Sequence, residues 1–88
     1  MENKSVPPYT DPAQVTLKEN VTEIMRQYFG NLKGEQPRNV YDFFLDEIEE
    51  PLLSIVMKYT RQNQSEAARI LGLSRGTLRA KLKKFGML

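Results

Sequence analysis

The sequence predicts an all-α protein of four helices, two longer and two short. Three observations predict it. Apolar residues recur at spacings of three and four through two long stretches, as the inner stripe of a helix does. Residues that start helices stand in front of each stretch. The last 26 residues, from Asn63 to Leu88, read as two short helices joined by a glycine turn.

The elements follow in chain order. Residues 1–15 hold Pro7, Pro8 and Pro12 without an apolar period and are predicted to form a flexible N-terminal arm. From Thr16 onward, Leu17, Val21, Ile24, Met25, Tyr28, Phe29 and Leu32 mark one helical face. Thr16 and Glu19 match a capping box, Gly30 is a weak point, and Gly34 is the expected stop. GEQPRN, residues 34–39, is a turn that ends on Asn39, a candidate N-cap.

The longest helix is predicted from Val40 to about Thr60, with Tyr41, Phe44, Leu45, Ile48, Leu52, Ile55, Val56 and Tyr59 on its stripe. Pro51 removes an amide donor in its middle and crowds the carbonyl of Glu47. The choice lies between one kinked helix and two meeting at Pro51. The stripe runs in phase across the proline, which favours one.

Phe43, Leu53 and Met57 lie off that stripe, so the helix has more apolar surface than one neighbour satisfies. Two copies packing residues 16–60 around a shared core would cover it, and the alternative is that the extra residues cover the short C-terminal helices. A chain of 88 residues buries only about 60% of its unfolded surface, which favours the homodimer.

Residues 61–88 carry a helix-turn-helix pattern. Asn63 and Ser65 suit an N-cap, and Ala67 and Ala68 are small where a second helix approaches. Ile70 and Leu71 are expected to be buried, and Gly72 permits the left-handed turn. Ser74 caps the second helix, whose inner face is Leu78, Leu82 and Phe85. Its outer face repeats Arg75, Arg79 and Lys83 every four residues.

Charge gives this face a purpose. From Lys58 onward there are eight basic residues and one acidic, a net of +7; up to Met57 there are five basic and ten acidic, a net of −5. Such asymmetry suggests that the tail meets a polyanion. Arginine on the stripe has the fork to bond the O6 and N7 of guanine in a major groove, while Thr77, Lys81 and Lys84 flank it and suit phosphate. The alternative is a basic helix that only keeps the protein soluble. Gly76 and Ala80 share the exposed face and lack hydrogen-bonding side chains, so loose sequence specificity set partly by DNA deformability is expected.

Other classes fit less well. There is no cysteine and no histidine, which removes disulfides, thiolate metal sites and the usual general base. No enzyme activity, cofactor or metal is expected. Asp46, Glu47, Glu49 and Glu50 form the only carboxylate cluster, and on a helix such a group reads as a solvated face. Apolar runs are short, and the N-terminus lacks the order of a signal peptide, so a cytoplasmic protein is expected.

From Leu17 to the end, the chain resembles the Fis family of nucleoid-associated proteins, most specifically through NVYDFFLDEIE and EPLLSIVMKYTRQNQSEAARILGLSRGTLRAKLKKFGM. The C-terminal part alone is also similar to the DNA-binding end of enhancer-binding activators, in which a large ATPase domain comes first. The Fis resemblance implies an intertwined homodimer whose two DNA-reading units lie closer than one major-groove repeat, roughly 34 Å, so that DNA bends to meet both. It implies degenerate A/T-centred sites, a place in the nucleoid, and roles in transcription and site-specific recombination.

The resemblance also places DNA contacts on Asn63, Ser65, Ser74, Arg75, Thr77, Arg79, Lys81, Lys83 and Lys84. Ser74 stands where the family has asparagine, and Ala80 where it has lysine. RNA polymerase is a candidate partner through Arg61 and Gln64, although Gln62 replaces a glycine there. In the family a β-hairpin arm activates a DNA invertase; three prolines fit a hairpin poorly, so weak or absent stimulation is expected.

Overall fold

A computed structural model describes residues 16–88, and the arm expected over residues 1–15 lies outside the described residues. Four helices and no strand are present among them: α1 (Leu17–Gly30), α2 (Val40–Tyr59), α3 (Gln64–Leu71) and α4 (Arg75–Lys84). None is long and apolar enough to cross a membrane. The chain divides into two compact units, Met1–Arg38 and Asn39–Leu88.

In the first unit, α1 begins with the expected capping box. Thr16 Oγ1 accepts from the Glu19 amide at 3.1 Å, and Glu19 Oε1 accepts from the Thr16 amide at 3.0 Å. The helix ends at Gly30 rather than at Gly34. Asn31 closes it by donating its amide to the carbonyls of Gln27 and Tyr28, and Gly34, at φ +89°, serves the turn that follows. No residue of α1 is buried.

The second unit is built on α2, which runs unbroken through Pro51 as a single helix. Asn39 stands at its start in the left-handed region (φ 51°) without a side-chain cap. Its carbonyl accepts from the Phe43 amide at 3.0 Å instead. The core consists of Leu53, Val56 and Met57 from α2, Ala67 and Ala68 from α3, and Leu78 and Leu82 from α4, with Leu71, Phe85 and Met87 packed around them. Full burial of a leucine contributes about 1.5–3 kcal/mol, and Leu53, Leu78 and Leu82 are the largest side chains so enclosed.

This core corrects two expectations. Leu53 and Met57, expected to need a second copy, instead lie under the short helices, while the main stripe of α2 is left uncovered at Tyr41, Leu45, Ile48, Leu52, Ile55 and Tyr59. Ile70 is 42% exposed rather than buried. Ala67, Ala68 and Leu71 share the inner face of α3 at helical spacing, and Ile70 falls outside it.

Three successive helices end alike. After α2, the Gln62 amide bonds the Met57 carbonyl at 2.7 Å and the Arg61 amide bonds that of Lys58 at 3.1 Å; after α3, Leu73 bonds Ala68 and Gly72 bonds Arg69; after α4, Met87 bonds Leu82 and Gly86 bonds Lys83. These paired bonds are the Schellman closure, which puts one residue in the left-handed region. Gly72 (φ 74°) and Gly86 (φ 71°) supply it after α3 and α4, but Arg61 (φ 55°) does so after α2, with Gln62 also at φ 68°.

Candidate nucleic-acid interface

α4 is held by its inner face and presents its outer one. Leu78 and Leu82, four apart, are fully enclosed, which turns Arg75, Gly76, Arg79, Ala80 and Lys83 to solvent. Its start is fixed by Ser74, whose Oγ accepts from the Thr77 amide at 3.1 Å and lies 2.9 Å from Thr77 Oγ1. Ser74 and Thr77 thus hold one another at the helix mouth. Asn63 plays the corresponding part for α3, its Oδ1 accepting from the Glu66 amide at 3.0 Å. Ser65 lies exposed in the first turn of α3.

The cations sort into two groups. Among the described residues, Arg75 and Lys83 form no ion pair, and Arg79 meets a neutral partner, donating from Nη1 to Gln64 Oε1 at 3.0 Å. These three are the i, i+4, i+8 stripe. Lys81 and Lys84, by contrast, reach acids on α2. Lys81 Nζ lies 3.2 and 3.1 Å from the two carboxylate oxygens of Glu49, and Lys84 Nζ lies 2.8 Å from Asp46 Oδ1. On α3, the Arg69 guanidinium pairs with both oxygens of Glu66.

The electrostatic consequences follow from those pairs. The hydrogen bond to Asp46 raises the Lys84 pKa above its ordinary value, burial works against this, and the charges of Asp46, Glu49 and Asp42 add to it. Arg69 likewise lowers the Glu66 pKa, mainly through their hydrogen bond. Among the described residues, what remains on α4 without an ion pair is the stripe. Arginine has five donors, so Arg79 keeps others free after one is spent on Gln64.

Sequence reasoning placed Lys81 and Lys84 toward phosphate and missed their acids, which are 32 and 38 residues away. A signal was present. Asp46, Glu49, Leu53, Val56 and Met57 share one helical face of α2, so the acids lie in register with the residues that pack beneath α4. Two members of the carboxylate cluster are therefore paired, and among the described residues no group of three or more His, Cys, Asp or Glu is arranged to hold a metal ion. Gln64, expected as a polymerase contact, accepts from Arg79 through Oε1, and Arg61 is exposed in the left-handed turn between α2 and α3.

Residues 44–85 match the family model described as "Bacterial regulatory protein, Fis family". The "DNA-binding protein Fis" of Glaesserella parasuis serovar 5 is 54% identical over 71 residues, spanning 81% of this chain and 72% of that protein. The protein of the same name from Actinobacillus succinogenes is 50% identical over 78 residues, 85% of this chain and 79% of its own length. That from Proteus mirabilis is 47% identical over 74 residues, 84% and 76%.

Proposed function

Because the chain belongs to the Fis family of bacterial regulatory proteins, we propose that it acts as a homodimer that binds and bends duplex DNA at degenerate, A/T-centred sites, as a nucleoid-associated regulator of transcription in the cytoplasm. The observation that carries this reading is the uncompensated stripe of Arg75, Arg79 and Lys83 on the outward face of the second helix of a helix-turn-helix. Arg75 and Arg79 read guanine edges, Lys83 and the flanking polar residues hold the backbone, and Asn63, Ser65, Ser74 and Thr77 approach phosphate at the two helix starts.

Two further facts support dimerisation. α1 has an apolar stripe yet buries no residue, and a lone helix of 14 residues is marginal in water. α2 separately leaves six large apolar side chains of its stripe at least 38% exposed. Such faces need a partner, and a second copy is the family's solution. The polymerase contact through Arg61 and Gln64 remains part of the proposal, and so does a role in site-specific recombination, with invertase stimulation weak because of Pro7, Pro8 and Pro12.

A circular-permutation gel shift tests the core of this. One A/T-centred site is placed at the end or the middle of duplexes of equal length, with bulk DNA as competitor. Mobility that depends on position is the expected result. A shift independent of position would mean a local regulator with a narrow site and no bend, and no shift at low salt would remove DNA as the partner.

A further inference from the structure

The two lysines beside the reading stripe form two rungs between α2 and α4. Asp46 and Glu49 are three residues apart on α2, and Lys84 and Lys81 are three apart on α4, so each acid meets one ammonium. The rungs are not alike. In the Lys81–Glu49 pair the side chains are 31% and 20% exposed, and both carboxylate oxygens are engaged; in the Lys84–Asp46 pair they are 55% and 36% exposed, through a single oxygen.

We propose that Asp46 is an internal stand-in for a DNA phosphate: Lys84 pairs with it in the free protein and exchanges it for a backbone phosphate when duplex binds, whereas Lys81 stays on Glu49 as a strut. This rests on the DNA-binding reading of α4. Carboxylate and phosphate oxygens offer an ammonium the same kind of acceptor, and a lysine stem rotates easily between them.

Exposure decides which lysine moves. Asp46 remains open enough for water to take over its free oxygens once Lys84 leaves. Glu49 is more enclosed, and stripping it of its one cation leaves a poorly hydrated charge, which is costly. The exchange taxes binding to every sequence alike, because phosphate carries no sequence information. Among the described residues, Arg75 and Arg79 pair with no carboxylate. The latch thus weakens the non-selective part of the hold and leaves base reading untouched.

The test is a double-mutant cycle read as dissociation constants on an A/T-centred duplex and a mixed-sequence duplex of equal length. Asp46→Asn is expected to tighten both by about 1.4- to 5-fold per reading unit, the range that exposed ion pairs span. In a Lys84→Ala background the gain should shrink to that of charge removal alone. Glu47→Gln removes the same charge from an exposed position on the same helix that forms no ion pair among the described residues, and should give a smaller gain. Glu49→Gln should lower the melting temperature and tighten binding no more than Glu47→Gln does, and circular dichroism checks that each variant is folded.

A gain that persists undiminished without Lys84, or that Glu47→Gln equals, would show simple charge removal and overturn the exchange. So would weaker binding by Asp46→Asn. If the wild-type protein retains neither duplex at low salt, the DNA-binding reading itself fails; if it binds and the cycle is additive, only the exchange fails.

Discussion

Arg75 and Lys83 are both exposed cations on α4 without an ion pair among the described residues, yet their chemistry sets them different tasks. A guanidinium fork matches two acceptors on one guanine edge, whereas an ammonium is a point charge suited to a phosphate. Arg75→Ala is therefore expected to cost about 1–3 kcal/mol at a preferred site and to flatten preference at one base position. Lys83→Ala should weaken all sequences alike and lower the salt slope by about one for each reading unit, about two for the dimer. Competition binding on a panel of single-base variants measures both, and equal losses across the panel for both residues would refute the division. The stripe was legible because it repeats every four residues. The different condition of Lys81 and Lys84 was not, because nothing within a helical turn distinguishes them from Lys83; their partners arrive only when α2 packs beneath α4.

Among the elements, starts were more legible than ends. Thr16, Asn63 and Ser74 each accept a hydrogen bond from an amide three residues on, a local pattern that spacing reveals. The end of α1 was misplaced because Gly30 and Gly34 both suit a stop, and the bonds of the Asn31 amide settle it. The end of α2 is the more informative case. Its Schellman closure uses Arg61 and Gln62, both left-handed, where glycine would be unstrained. A left-handed conformation costs an ordinary L-residue about 1–2 kcal/mol, while a glycine gives back about 0.5–1 kcal/mol through the freer unfolded chain. Gln62→Gly keeps the amide that bonds the Met57 carbonyl, so a net stabilisation of up to about 1.5 kcal/mol is expected. Urea unfolding at fixed protein concentration checks it, through a higher midpoint with the slope unchanged. A midpoint below that of wild type would show that the strain at this turn is smaller than the cost of glycine's freer unfolded chain. Gly72 offers the converse: a Cβ there meets nothing within 4 Å, so any loss in Gly72→Ala comes from its φ of 74° alone.

At the scale of the whole molecule, the question is what covers the stripe of α2. One face of that helix is spent on the helix-turn-helix through Leu53, Val56 and Met57, and the other remains open from Tyr41 to Tyr59. Periodicity made the stripe visible but not which side would face which neighbour, because both faces carry large apolar residues. Ile55 separates the two accounts of the open face: it is 65% exposed and outside the core cluster, so a charge there costs a monomer almost nothing. In a dimer built on this stripe, the same charge enters an apolar interface without a partner and is strongly unfavourable. Sedimentation is expected to give twice the chain mass for wild type and the single-chain mass for Ile55→Glu. DNA binding should change in step. If a dimer neutralises about six to ten phosphates, log affinity falls against log salt with a slope of about −0.9 per phosphate, and a monomer offering one reading unit should show half that slope. An Ile55→Glu protein with unchanged mass and slope would mean that the stripe is not the interface; one with unchanged mass and a halved slope would mean that the glutamate disturbs the reading unit, which the depth of Leu78 and Leu82 argues against.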